Sequence, residues 1–182
     1  GFKKAAASGV LPAATATQFE AECRFLRALG HHELLIHFAR PFLDNNGASL
    51  GVPYRDYAVT GGESLERVQK EARPTVAAAY AKLLDDINFA EANLPVTNSG
   101  GAVIRAQKSA AIALKQRVFL HMGQWANAVA AGNTLIPATV TPATPATTRS
   151  LVGNHALTAT PNGSFGFSGG NSISSENIFT VK

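Results

Sequence analysis

Residues 74–95 carry the pattern that most restricts what this chain can fold into. Apolar side chains recur there at three- and four-residue steps, which is the spacing of one face of an α-helix. Pro74 suits the first turn of such a helix and Pro95 ends it, because proline has no N–H to continue the hydrogen bonding. The pattern predicts a helix over residues 74–94 with one buried face. That face consists of Val76, Tyr80, Leu83, Leu84, Ile87, Ala90 and Leu94.

A second long helix is predicted over residues 17–39, because periodic apolar residues run up to the break at Pro41. Two apolar stripes follow this helix, and they indicate packing on two sides, as in stacked helical repeats. Cys23 lies in the first stripe and is expected to be a buried, inert thiol. The stripes are Phe19, Cys23, Leu26 and Gly30 on one side, and Phe25, Leu29, His32 and Ile36 on the other.

Residues 106–122 and 125–136 are predicted to form a pair of antiparallel helices. Only a short turn at Gly123 separates them, and glycine suits the left-handed conformation that ends many helices. Pro137 follows the second helix and stops it. Trp125, at the start of that second helix, is expected to pack inside the pair.

The other segments of the chain are predicted to be irregular. Residues 1–18 form an arm, residues 40–63 are broken by Pro and Gly, and residues 137–172 form a long loop rich in Pro, Thr, Gly and Asn. The loop offers little apolar surface to offset the cost of ordering it, so we expect it to be the most mobile part of the chain. Residues 173–182 read as a short terminal strand.

Composition narrows the class of protein. The 182 residues are 46% apolar and 15% charged, which is typical of one folded domain, 1–182, with a helical core at 19–136. No run of eighteen apolar residues is present. The net charge of +4 comes without a basic cluster, and this excludes nucleic acid as a partner. The single cysteine, Cys23, excludes a disulfide within the chain.

No catalytic, metal or cofactor site is predicted from the sequence. His32 and His37 stand five residues apart, about 500° around a helix, so their rings point in different directions and cannot share one ion. We expect His31 and His32 to pack as rings with partnered nitrogens. The sequence shows no nucleophile motif. Asp85 and Asp86 are expected to lie opposite the apolar stripe of residues 76–94, and they diverge from one helix instead of facing each other across a cleft.

Four segments of the sequence resemble the SusD/RagB family of outer-membrane nutrient-binding lipoproteins. Residues 22–28 are similar to the family's Glu-Ala-Arg-Phe-Leu-Arg-Ala helix. Residues 104–128 are similar to its Lys-Gly-Ala-Ala segment, with Ser109 in place of the usual glycine. The stripe of residues 76–95 is also similar to the family's pattern. The four segments are Glu22-Cys23-Arg24-Phe25-Leu26-Arg27-Ala28, Leu50-Gly51-Val52-Pro53, residues 104–128, and Ser175-Glu176-Asn177-Ile178-Phe179.

The resemblance implies a mainly α fold of TPR-like stacked antiparallel helices, with an irregular C-terminal section and a short strand. It implies a protein without enzymatic activity that binds glycans at the outward face of the outer membrane. The implied partner is a TonB-dependent, SusC-like transporter. The family is anchored through a lipidated cysteine, and this sequence shows no such signal. The alternative is a TPR-like scaffold that binds another protein.

Six residues are the candidates for contact with a sugar. Aromatic rings pack on the apolar face of a sugar, and amides bond to its hydroxyl groups. Phe165 and Phe167 lie in the long loop. Tyr54 and Tyr57 lie in the irregular segment before the second predicted helix and are expected to be exposed. The full set is Tyr54, Tyr57, Asn154, Asn162, Phe165 and Phe167.

Overall fold

The computed structural model describes residues 1–99, 104–137, 149–156 and 178–179. Within these ranges the chain is mainly α-helical, as predicted. A short 3₁₀ turn at Phe42–Asp44 accompanies the α-helices. The helices are α1 (Phe2–Ala7), α2 (Ala13–Phe38), α3 (Gly62–Lys70), α4 (Val76–Asn93), α5 (Lys108–His121) and α6 (Trp125–Asn133).

The helices other than α3 stack in the order of the chain. Helix α1 packs on α2, α2 on α4, α4 on α5, and α5 on α6. One hydrophobic cluster runs through α2, α4 and α5, and α6 covers the outer side of α5. This arrangement is a TPR-like stack. Its fully buried members include Ala21, Ala28, Val76, Leu83, Ile87, Ala90, Ala111 and Val118.

Helix α4 forms where the apolar spacing predicted it. Thr75 caps its first turn, accepting a hydrogen bond at Oγ1 from the N–H of Ala78 at 3.1 Å. Pro74 therefore lies before the cap and not inside the first turn as predicted. Its carbonyl oxygen instead accepts a bond from the N–H of Gly51 at 2.7 Å, which ties the preceding segment to the helix start.

Helix α2 begins at Ala13, four residues before the predicted start, and buries one side instead of two. Phe25 and Ala28 face the core, whereas Leu26 is 51% exposed and Cys23 is exposed as well. The expectation of a buried thiol was wrong because α4 packs against the side of α2 that carries Phe25. The stripe with Cys23 lies outside that contact.

Two helices form that were not predicted from the sequence. Residues 2–7 of the expected arm are helical, and the Phe2 ring lies 5.3 Å from the Phe19 ring of α2. Helix α3 lies mostly in residues 64–70, for which no structure was predicted, and it has no buried residue. Its large apolar residues are Leu65 and Val68 alone, which is too short a pattern to identify a helix in a sequence.

The α5–α6 pair is joined by the predicted left-handed glycine, since Gly123 has φ +69°. Helix α6 ends at Asn133, three residues before the predicted end. The N–H groups of Leu135 and Ile136 then bond to the carbonyl oxygen of Gly132, both at 2.9 Å. The chain turns there before Pro137.

Residues 149–156 form a turn that is attached to the helices. Ser150 donates its N–H to His155 at 2.7 Å, and Leu151 donates to Leu135 at 2.8 Å. The Ser109 hydroxyl of α5 and the His155 ring lie 2.9 Å apart. The expected long loop is thus anchored at these eight residues, and its mobility stays a prediction.

The predicted C-terminal strand lies mostly outside the described residues. Ile178 and Phe179 are described, and both pack against the core. The Phe179 ring meets the Phe25 ring edge-on at 5.2 Å. Phe179 therefore packs on the face of α2 that α4 also covers.

Gly47→Ala is expected to destabilise the fold by about 1–3 kcal/mol. Gly47 has φ +74°, and an added Cβ would lie 2.7 Å from the Phe42 ring and 2.9 Å from the Ala77 Cβ. Gly30→Ala is the control, because nothing lies within 4 Å of its Cβ position inside α2. That variant should gain about 0.5–1 kcal/mol. Urea unfolding of both variants measures the difference, and equal stabilities would contradict this account.

Candidate functional site

A buried carboxylate joins three segments of the chain. The side chain of Asp86 in α4 is 3% exposed. Arg27 of α2 donates to it twice, from Nε to Oδ2 at 2.6 Å and from Nη2 to Oδ1 at 2.7 Å. The hydroxyl group of Tyr54 also donates to Oδ2, at 2.6 Å. This Arg27–Asp86–Tyr54 cluster fixes the irregular segment between α2 and α4.

The cluster corrects two sequence predictions. Tyr54 was expected to be exposed, but it is 4% exposed, because its ring lies over the His31 ring with 4.1 Å between centroids. Asp86 was expected to point away from the core stripe. A carboxylate can be buried there because the Arg27 guanidinium neutralises it through two bonds.

Electrostatics keep Tyr54 and Arg27 in their hydrogen-bonding forms. Burial raises the pKa of the Tyr54 phenol, and its bond to Asp86 raises it further. The bond to Asp86 raises the pKa of the Arg27 guanidinium. Tyr54 therefore remains a donor and Arg27 remains a cation. The cluster links α2, α4 and the segment that carries Tyr54.

A charged surface cavity lies beside the cluster. Its volume is about 470 Å³, and an adjoining cavity of about 360 Å³ shares Arg27, Asp56 and Asp85 with it. Charges of both signs line the larger cavity, and none of the described residues that line it is aromatic. The side chains that line it are Lys3, Glu20, Cys23, Arg24, Arg27, Asp56 and Asp85.

A cleft between α4, α5 and α6 has a more mixed lining. Its volume is about 330 Å³. Lys115 of α5 and Glu91 of α4 form an ion pair at 3.0 Å on its rim. The rest of the lining combines four apolar residues with the polar residues Asn127 and Thr134. We call this the α4–α6 cleft, and it is lined by Glu91, Ile112, Lys115, Phe119, Asn127, Ala130, Ala131 and Thr134.

The chemistry of the α4–α6 cleft matches a small polar molecule with one apolar face. Phe119 and Ile112 offer apolar surface, while Lys115 and Asn127 offer polar groups. The Asn127 amide is held in place, since its Nδ2 donates to Gln124 Oε1 at 2.8 Å. A sugar ring has this two-sided character, with hydroxyl groups around an apolar face. Sequence reasoning missed the cleft because its residues come from three helices.

The structure describes three of the six predicted contact residues, each in a different setting. Tyr57 is half-buried, with the Arg67 guanidinium 3.7 Å above its ring and its hydroxyl bonded to Glu71 at 3.0 Å. Asn154 is exposed at φ +57° in the 149–156 turn. Tyr54 is buried in the cluster. The other three predicted residues, Asn162, Phe165 and Phe167, lie outside the described residues.

The two adjacent histidines of α2 differ in their environment. Nε2 of His31 accepts the backbone N–H of Arg55 at 3.2 Å, as expected for a packed ring with a partnered nitrogen. His32 is fully buried, and neither of its ring nitrogens has a hydrogen-bond partner among the described residues. The expectation was therefore wrong for His32. In the part of the chain that the structure describes, no three metal-ligand side chains cluster.

Trp125 was expected to pack inside the α5–α6 pair, but it is 61% exposed. Ala128 and Gly132 are the residues of α6 that are buried. Trp125 opens the helix on a different side, next to Val129, which is 60% exposed. The indole is therefore a surface group.

Trp125→Ala should change the free energy of unfolding by less than about 1 kcal/mol, because an exposed ring leaves no cavity when it is removed. A core tryptophan would cost about 3–5 kcal/mol. Thermal and urea unfolding distinguish these two outcomes. A decrease of about 3–5 kcal/mol in the free energy of unfolding would instead show that Trp125 is part of the core.

Comparisons with known proteins agree with the stacked-helix class. A SusD-like family model, described as starch-binding and associating with the outer membrane, matches residues 11–120. The match spans more than half of the sequence, so this chain belongs to the SusD-like family. No curated protein matches the sequence.

Solved structures from Bacteroides share the fold. A SusD superfamily protein from Bacteroides thetaiotaomicron aligns over 93% of this chain with a TM-score of 0.70 and 22% identity. A SusD superfamily protein from Bacteroides fragilis aligns over 70% of this chain with a TM-score of 0.60 and 26% identity. A putative sugar binding protein from Bacteroides vulgatus aligns over 66% of this chain with a TM-score of 0.57 and 26% identity.

The alignments cover only part of each relative. They span 32%, 28% and 25% of those three proteins, in the same order. This chain therefore corresponds to about a third or less of each structure it resembles. No helix among the described residues combines the length and apolar character that crossing a membrane requires.

Proposed function

We propose that this chain is the helical part of a protein that binds carbohydrate at the outer face of the outer membrane. The protein hands the carbohydrate to a TonB-dependent, SusC-like transporter and does not cleave it. The observation that carries the proposal is the family match over residues 11–120, whose description names starch binding and the outer membrane. The sugar-binding relative from Bacteroides vulgatus supports it.

Within the described residues, the α4–α6 cleft is the surface whose chemistry best fits a sugar ring. Phe119 supplies an aromatic surface, and the Lys115–Glu91 pair presents a cation and a carboxylate at 3.0 Å from each other. Charged and amide groups bond well to hydroxyl groups, which both donate and accept. The charged cavity near Arg27 lacks an aromatic floor and fits a sugar less well.

A helical scaffold that binds another protein is the second candidate function. The exposed apolar residues Trp125 and Val129 favour it, since an apolar surface on an outer helix of a stack suits contact between proteins. Purification of the intact protein from outer membranes separates the two functions. A TonB-dependent transporter as its companion supports carbohydrate delivery, and a companion unrelated to transport supports the scaffold.

Asn127→Ala tests the position of the sugar. Calorimetric titration of the intact protein with soluble starch and purified oligosaccharides should show binding that Asn127→Ala weakens about tenfold, which corresponds to the loss of one well-placed hydrogen bond between neutral groups. Asn133→Ala is the matched control, because Asn133 is an exposed amide on the same helix outside the cleft lining.

The outcomes of that titration separate the site from the function. Binding that is unchanged by Asn127→Ala but lost in Phe165→Ala or Phe167→Ala would place the sugar on the predicted loop residues. The proposed function would then stand without the cleft. No binding to any carbohydrate would contradict the function itself.

A further inference from the structure

His32 is buried in a way that its chemistry does not favour. Its exposed fraction is 0%, and both ring nitrogens lack a hydrogen-bond partner in the described part of the chain. A neutral imidazole carries one donor and one acceptor, and burying such groups unpaired costs free energy. A phenylalanine ring would fill similar space without that cost. The position therefore contains an unsatisfied titratable group at the centre of the helix stack.

The groups around His32 come from two neighbouring helices. From α5, the His121 ring meets it edge-on at 4.9 Å between centroids, and Arg117 lies close enough to repel a positive charge on it. From α4, the Tyr80 ring lies at 6.3 Å. Tyr80 offers no anion, because burial raises the pKa of its phenol.

The charged neighbours on α2 itself do not compensate. Glu33 is the nearest acid in the sequence, but it lies 4.0 Å from Arg117 and 3.8 Å from His37, and its side chain is 48% exposed. The groups that face His32 from the other helices, within the described residues, are His121, Arg117 and Tyr80. A proton on His32 would thus be buried beside positive charge.

These surroundings fix the direction of the pH effect. Burial is the main cause that lowers the pKa of His32 from 6.5 to about 4, and the charges of His121 and Arg117 contribute to the same decrease. The unfolded chain takes up a proton as the pH falls through about 6.5, whereas the folded chain resists until about pH 4. The stability that depends on neutral His32 is therefore complete above pH 6.5 and is lost as the pH falls toward 4.

We propose that His32 is an acid-sensitive joint: when it takes up a proton, the packing of α2 against α5 opens. The opening begins where His32 meets His121, because water must reach the buried ring to solvate the new charge. The α5–α6 pair, which supplies most of the lining of the α4–α6 cleft, is the part of the stack that separates from α2. The inference does not depend on what the cleft binds.

The proposal is tested by measuring urea unfolding of the unchanged chain and of His32→Phe, each at pH 7 and at pH 4. When the pH falls from 7 to 4, the folding equilibrium constant should decrease roughly 100-fold more in the unchanged chain than in the variant. The reason is the difference between the pKa of His32 in the unfolded chain, 6.5, and its pKa in the folded chain, about 4. Carboxylates and His31 titrate in both proteins, so their effects cancel in the comparison. His37→Gln is the control: its ring is 66% exposed, and the pH dependence should stay as in the unchanged chain.

NMR titration of the His32 ring provides a second measurement, which does not depend on whether His32→Phe folds. The folded chain should show a midpoint near pH 4, and Arg117→Gln should raise that midpoint because it removes a repelling charge. A midpoint near 6.5 in the folded chain would overturn the proposal. Parallel loss of stability in the chain and in His32→Phe would overturn it as well.

Discussion

Replacing Asp86 with Asn should lower the free energy of unfolding by about 3 kcal/mol. The change leaves the Arg27 guanidinium beside a neutral amide and removes an acceptor of two charge-assisted bonds at 2.6 and 2.7 Å. Breaking a buried ion pair costs about 3–5 kcal/mol. The lower end applies because the Arg27 side chain is 30% exposed and can turn toward water. Urea unfolding at pH 7 measures the loss.

Asp85→Asn is the matched control for this prediction. Asp85 is the preceding residue on the same helix, and its side chain is 81% exposed. Its replacement should cost less than about 0.5 kcal/mol, as exposed ion pairs usually do. Equal effects of the two substitutions would show that the Arg27–Asp86–Tyr54 cluster does not hold α2 and α4 together.

Leu83→Ala should cost about 3–5 kcal/mol. Leu83 is fully buried in the hydrophobic core between α2, α4 and α5. The smaller alanine side chain therefore leaves a cavity that the packed helices cannot close. Leu26→Ala removes the same atoms from a position that is 51% exposed on α2 and should cost less than about 1 kcal/mol. A loss below about 1 kcal/mol for both variants would contradict the described core.

The long amphipathic helices could be predicted from sequence because their apolar spacing records which face is buried. Val76, Leu83 and Ile87 are fully buried as their spacing indicated. Gly123 adopts the left-handed conformation that its place between two helices required. These features depend on local sequence alone, so they can be predicted without knowledge of contacts between distant segments.

The errors come from contacts between segments that are far apart in the chain. Nothing near Asp86 in the sequence indicates that Arg27 will neutralise its charge or that Tyr54 will donate a hydrogen bond to it. Trp125 is the kind of residue that is usually buried, and its exposure depends on which side of α6 meets α5. Apolar spacing also cannot show that one stripe of α2 is covered and the other, with Cys23, is not.

The candidate site was beyond sequence reasoning for the same reason. Glu91, Lys115 and Asn127 lie on three different helices, and only their packing brings them to one cleft. The six residues predicted from aromatic and amide chemistry were chosen from segments without a predicted helix. Of these, Tyr54 is part of the buried cluster, which shows that an irregular segment can still be anchored in the core.

Binding of purified glycans to the intact protein that carries this chain tests the proposed function most directly. An array of plant, bacterial and host glycans, with soluble starch included, should show saturable binding to one glycan class and leave that glycan uncleaved. Failure to bind any glycan, together with stable binding to a protein unrelated to transport, would contradict carbohydrate capture and leave the helical scaffold as the function.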